Sequence, residues 1–182
     1  MSEKQNHTIS IFTENQVGLL HRITIIFTRR QINIESINVS ESEVKGIHRY
    51  TIVVKEEDEK VEKVVKQIEK LVEVIRAFAH KDDETVYQEI ALYKLPIKAL
   101  TSGIKLEQFV RENHARILTI EQEFFIIEKT GHKDETQALF EKLAPYGLLE
   151  FVRSGRVSIT KPMHELSEYL KELEQKHEQM EL

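Results

Sequence analysis

Thr13-Glu14-Asn15-Gln16-Val17-Gly18-Leu19-Leu20-His21-Arg22-Ile23 is the stretch on which the reading of this chain turns, and Asn33-Ile34-Glu35-Ser36 follows it about ten residues later. Before it, His7 to Phe12 alternates polar and apolar residues with β-branched Thr8, Ile9 and Ile11, the pattern of a strand. After it, Leu19, Ile23 and Ile26, with Leu20 and Phe27, recur at i, i+3, i+4 and i+7, so a helix is expected from about Val17 to Arg30. Arg22, Arg29 and Arg30 then turn outward. A polar turn placed where a strand hands over to a helix exposes the first backbone N–H groups of that helix. Such a turn can hold a small carboxylate. Gly18 lets a ligand or another backbone approach without a Cβ in the way, and Asn15 offers an amide donor and a carbonyl acceptor. The same residues also read as an ordinary turn in which Asn15 caps the helix.

Outward from this stretch, Asn33 to Glu41 alternates again, with Ile34, Ser36 and Asn38 pointing one way and Glu35, Ile37 and Val39 the other. Gly46 turns the chain, and Tyr50 to Val54 forms a third strand, close enough for a hairpin. Val61, Val64, Val65, Ile68 and Leu71 make an apolar stripe on a charged helix, and Val72 to Ala79 closes as a fourth strand. Strand, helix, strand, strand, helix, strand packs two helices on one face of an antiparallel sheet. That is a ferredoxin-like unit ending near His80. Beyond the polar connector Lys81-Asp82-Asp83-Glu84 the order begins again. Val86 to Leu95 reads as a strand, Leu106, Phe109 and Val110 mark a helix, and Ala115 to Ile120 with Phe124 to Glu128 form a hairpin. A helix through Thr136, Leu139, Phe140 and Leu143 stops at Pro145 and Gly147, and Leu149 to Thr160 is the last strand. The expected class is α+β, with tandem ferredoxin-like βαββαβ domains over 1–80 and 81–161. A helical tail follows over 162–182, its apolar edge made by Leu166, Leu170, Leu173 and Met180 with Tyr169.

The bulk properties narrow the function. With 26 Lys+Arg against 31 Asp+Glu the net charge is -5, which gives no electrostatic case for nucleic acid. There are no cysteines, so thiol catalysis and cysteine metal sites are excluded. No stretch approaches a transmembrane helix and the start is too polar for a secretory signal, so the cytoplasm is the default and no membrane partner is expected. The eight histidines are scattered without metal-ligand spacing. Ser154 lacks the flanking glycines of a nucleophile elbow, and acidic residues such as Glu62 pair with lysines such as Lys66 as on a solvated helix face. No Walker or dinucleotide glycine motif is present. Neither a catalytic residue nor a metal site is expected.

Glu14 to Ile23, followed by Asn33-Ile34-Glu35-Ser36-Ile37, resembles the ACT domain of the regulatory (small) subunit of acetohydroxyacid synthase, also called acetolactate synthase. The likeness continues through Val61 to Arg76. It then covers Glu89 to Lys94, Thr130-Gly131 and Phe151-Val152-Arg153-Ser154-Gly155, which are similar to that family's C-terminal domain. The resemblance implies a non-catalytic regulatory subunit. Members of the family bind a branched-chain amino acid, usually valine, between ACT domains of two subunits, and so feedback-inhibit the catalytic subunit that they activate. Thiamine diphosphate, magnesium and flavin belong to that catalytic subunit, so no cofactor is expected here.

By position, the resemblance assigns effector binding to Asn15, Gly18, Leu19, Leu20, Asn33 and Ile34. The chemistry of these residues suits a zwitterion. N–H groups around Gly18 and Leu19 at the helix start favour its carboxylate, the Asn15 side chain or a backbone carbonyl accepts from its ammonium, and Leu20 and Ile34 wall its side chain. Asn33 also reads as a strand-start residue bonding its own backbone, and Ile34 as core. Four positions depart from the family's usual pattern: Gln31 stands where a Gly often precedes the second strand, Val17 where Pro or Ser is common, and Leu19 and His21 replace smaller residues near the pocket mouth. Two other functions fit the same residues. One is a free-standing amino-acid sensor acting on a different partner; the other is an activating subunit that has lost effector binding. A homodimer through the ACT domains is expected, because a unit of this size leaves sheet edges that association can cover.

Overall fold

The computed structural model of the protein describes residues 3–101, 105–161 and Lys171. Two compact units divide the chain, one running to Val86 and resuming at Ser158, the other Tyr87–Val157. In the first, β1 (Gln5–Glu14), α1 (Leu19–Arg29), β2 (Ile34–Glu41), β3 (Ile47–Glu56), α2 (Asp58–Ile68) and β4 (Val74–Lys81) follow one another. The strands lie in the order β2-β3-β1-β4, every pair antiparallel. Ile9, Ile11, Ile52 and Val54 face the helices and meet Leu19, Ile23, Ile26 and Phe27 of α1 and Val61, Val64 and Ile68 of α2. Each such side chain, removed from water, stabilises the fold by about 1.5–3 kcal/mol before entropy is charged against it.

The second unit repeats the plan. β5 (Thr85–Pro96), α3 (Leu106–Glu112), β6 (Arg116–Ile120), β7 (Phe124–Gly131), α4 (Lys133–Leu143) and β8 (Glu150–Arg153) form a sheet ordered β6-β7-β5-β8, and β9 (Val157–Thr160) also pairs β5. Its core gathers Tyr93, Leu95, Phe125 and Ile127 against Leu139 and Leu143. The buried Tyr93 hydroxyl donates to the Thr136 carbonyl at 2.6 Å, and burial pushes its pKa up to about 12. The architecture is therefore the tandem ferredoxin-like pair expected from the sequence. The expected tail helix over 162–182 lies outside the described residues, apart from Lys171.

Four details differ from the sequence reading. Gly18 adopts φ 84° and cannot continue a right-handed helix, so α1 starts at Leu19 and not at Val17. The α2 stripe packs on the core, but the helix ends at Ile68, so that Leu71 belongs to the following turn, and β4 starts at Val74 and not at Val72, which is exposed. A bulge shifts the register between Ile34 and Ser36, so Ile34 opposite Val54 and Ile37 opposite Ile52 share the helix face instead of pointing to opposite sides. The expected last strand is two strands. Ser154 closes β8 with one backbone and one side-chain bond to Ile90, its N–H donating to the Ile90 carbonyl at 2.8 Å while its Oγ accepts the Ile90 N–H at 3.0 Å.

β1 is buried on both faces, which alternation alone would not predict. On the side away from the helices Thr8, Ser10 and Phe12 are inaccessible. There the Arg49 guanidinium lies 5.5 Å over the Phe12 ring and donates to Ser10 Oγ at 3.3 Å and to the Ser158 carbonyl at 2.8 Å.

Candidate functional site

The turn between β1 and α1 is pinned from two sides. The Glu14 N–H donates to the Glu73 carbonyl at 3.0 Å, and the Asn15 N–H donates to the Gly46 carbonyl at 3.3 Å. Gly18 stands at the N-cap of α1 with φ 84° and ψ -7°, and no side chain caps the helix. Asn15 is therefore not the cap, and its amide is exposed to solvent. A Cβ built on Gly18 meets nothing within 4 Å, so the space above the turn is open. The Leu19 N–H reaches the Gln16 carbonyl only at 3.4 Å, while the N–H groups of Leu20 and His21 have no intrahelical acceptor. This is a helix start that presents donors to an anion at the positive end of its dipole.

The side chains separate by role. Leu19 is 1% exposed and belongs to the core, so it stands away from any pocket mouth and can offer a ligand only its backbone. Leu20 is 45% exposed beside the turn and is free to wall an apolar group. Asn33 is exposed and donates to Glu35 Oε1 at 3.2 Å, a side-chain bond and not the local backbone bond of a strand start. Ile34 is half-buried, packed against the core where edge strand β2 begins.

One separation governs what the site can do. Glu14, at the turn, pairs Ile47, whereas Ile34 pairs Val54. The two rows are seven residues apart along β3, about 23 Å at the rise of a strand. Asn15, Gly18, Leu19 and Leu20 therefore sit together at one end of the sheet, and Asn33 and Ile34 sit at the other. Within one chain the two sets do not meet.

Spacing in the sequence gave no sign of Glu73, which lies beside the turn. Its carboxylate pairs with Arg22 of the first α1 turns, and Arg22 holds it below the usual carboxylate range. Its second oxygen is buried without a hydrogen-bond partner. The two residues are 51 positions apart, and no local pattern connects them.

Residues 9–76 match the family model of the acetolactate (acetohydroxyacid) synthase small subunit-like ACT domain, and residues 88–162 match the small subunit of acetolactate synthase. The acetolactate synthase small subunit of Mycolicibacterium smegmatis is 37% identical over 155 residues, 85% of this chain and 91% of that protein. The chain belongs to the acetolactate synthase small-subunit family. The Bacillus subtilis small subunit is 32% identical over 84% of this chain and 89% of its own length. Among solved structures, the small subunit from Thermotoga maritima superposes with a TM-score of 0.78 at 31% identity, covering 87% of this chain and 98% of that one. As an acetolactate synthase small subunit, the chain is a regulatory component and not the catalytic one. No helix among the described residues is long and apolar enough to cross a membrane.

Proposed function

We propose that this small subunit activates a separate catalytic subunit of acetolactate synthase in the cytoplasm and makes it sensitive to a branched-chain amino acid, valine first. In this reading the ACT domain of residues 1–80 senses the effector, 81–161 forms the second domain, and 162–182 is a helical tail. The effector sits between two copies. Its carboxylate meets the open N–H groups above Gly18, its ammonium meets the Asn15 carbonyl oxygen, and Leu20 of the same copy encloses the isopropyl group. Asn33 and Ile34 of the second copy close the site. The observation that carries this reading is the separation of the two residue sets to opposite ends of one sheet. A two-fold axis beside edge strand β2, where Ile37 and Val39 are 37% and 38% exposed, can bring one copy's turn to the other's Asn33.

Calorimetric titration with valine, isoleucine and leucine tests it. Valine is expected to bind, and Gly18→Asp and Asn33→Ala are each expected to abolish binding. Mixing the two variants should restore about a quarter of the sites, because half the dimers are mixed and each mixed dimer keeps one intact site. Recovery of no sites, with both variants folded and exchanging subunits, would place the effector within one chain or nowhere. A free-standing sensor is set apart by binding valine while leaving the turnover of the catalytic subunit unchanged; an activating subunit without a sensor raises turnover and gives no heat of binding.

A further inference from the structure

Each sheet carries its helices on one side, and such a sheet ordinarily leaves its other face to solvent. The second sheet does so, with Ile90 45% and Val152 53% exposed on its outer face. The first does not. Its outer rows, matched by register, are Thr8 with Val53 and His80, Ser10 with Thr51 and Phe78, and Phe12 with Arg49 and Arg76. Thr8, Ser10, Phe12, Thr51 and Val53 are all buried, and Phe78 and His80 are half-buried. Part of the cover is β9, whose Ser158 carbonyl accepts from Arg49. A single strand is about 4.8 Å wide, whereas the rows span β3, β1 and β4, about 10 Å across, and run about 13 Å along the strands. The half of the face over β1 and β4 needs a second cover.

The path of the chain beyond β9 points to the occupant. The Lys161 N–H donates to the Glu84 carbonyl at 2.9 Å and its ammonium to the Asp83 carbonyl at 2.6 Å, which fixes the start of residues 162–182 just past the end of β4. Leu166, Leu170 and Leu173 fall on one side of a helix, and their span of about 11 Å matches the length of the rows. Lys171 is helical and exposed, and at about 100° per residue it falls on the side opposite those leucines. Charge agrees. The rows carry Lys55, Arg49 and Arg76 and no carboxylate, with Glu69 and Glu43 approaching Arg76 and Arg49 from outside them. Residues 163–182 hold six glutamates against two lysines, the sign that suits a basic face. We propose that residues 162–182 of the same chain lie beside β9 as a helix over β1 and β4, with Leu166, Leu170 and Leu173 against Thr8, Phe78 and His80. The family match ends at residue 162, so this cover is an addition to the small-subunit plan.

The full chain tests this without truncation, because it has no cysteine and Thr8→Cys supplies a single thiol under the proposed cover. Its reaction with a soluble disulfide reagent is expected to be slow, and about tenfold faster or more once Leu166→Glu and Leu170→Glu are added. Val64→Cys, beneath the helices, should stay slow in both backgrounds. In a second measurement, benzoylphenylalanine in place of Leu170 should link on illumination to β1 or β4 of its own chain, read as peptide masses from an equal mixture of isotopically light and heavy protein. That link decides the matter if the acidic variant loosens the whole fold and Val64→Cys speeds up as well. Equal Thr8→Cys rates in the two backgrounds overturn the proposal. So does a photoproduct that joins residue 170 to a second chain or to elements other than β1 and β4, and so does the absence of any link.

Discussion

Gln31 holds φ 55° at the end of α1, a region where an L side chain costs about 1–2 kcal/mol. The backbone around it explains why the conformation persists. The Gln31 N–H donates to the Thr28 carbonyl at 3.0 Å and the Ile32 N–H to the Phe27 carbonyl at 3.0 Å, which is the paired bonding of a Schellman motif, and Ile32 is buried beyond it. A residue other than glycine here therefore adds strain and leaves the path of the chain intact. Gln31→Gly is expected to raise the stability by about 0.5–1 kcal/mol, once the freedom that glycine adds to the unfolded chain is subtracted. Denaturant melts of the two proteins check this, and a less stable variant would mean that the Gln31 side chain contributes a contact. Gly18 is the converse case. Its φ 84° carries the same strain for any side chain, but the space above it is empty, so Gly18→Ala should cost only about 1–2 kcal/mol and meet no clash. Glycine at residue 18 was legible from the turn it occupies; the left-handed Gln31 was not, because nothing in its side chain announces that conformation.

At the scale of elements, the helices were readable because a 3.6-residue stripe survives small changes in end position. The strands were less so. The β2 bulge and the division between β8 and β9 both depend on hydrogen bonds to a neighbouring strand, which a single segment's alternation does not contain. The start of α2 shows another such dependence. Glu56 is buried at the end of β3, where its carboxylate takes Lys4 Nζ at 3.0 Å and Lys60 Nζ at 3.1 Å, and Lys4 first among its partners holds it below the usual carboxylate range. Asp58 is lowered as well, chiefly by Lys81 at 2.8 Å. A depressed folded pKa contributes stability that is present above the unfolded value and is lost as pH falls through the folded one. The melting temperature should therefore decline as pH drops below about 4.5, and Glu56→Gln should make that decline shallower. Melts from pH 7 to pH 3 check it. An unchanged acid slope in Glu56→Gln would assign the loss to other carboxylates.

For the whole molecule, the tandem plan could be read from the repeated order of elements, and the family from the turn at Asn15–Gly18 with the strand start at Asn33. What those motifs did not disclose is that their residues lie about 23 Å apart in one chain, since position in a motif carries no sheet register. That distance turns a list of candidate ligands into a requirement for a second copy. The central claim is that a dimer so formed transmits occupancy to a catalytic partner, and reconstitution measures it most directly. Acetolactate formation by the cognate catalytic subunit should be followed alone, with this chain, and with the chain plus valine, using the wild type and Gly18→Asp. The account predicts that the chain alone forms no product, that adding it raises turnover, that valine reverses the gain for the wild type, and that Gly18→Asp activates without being reversed. Turnover unaffected by the chain, or valine inhibition undiminished in a folded Gly18→Asp complex, would contradict it.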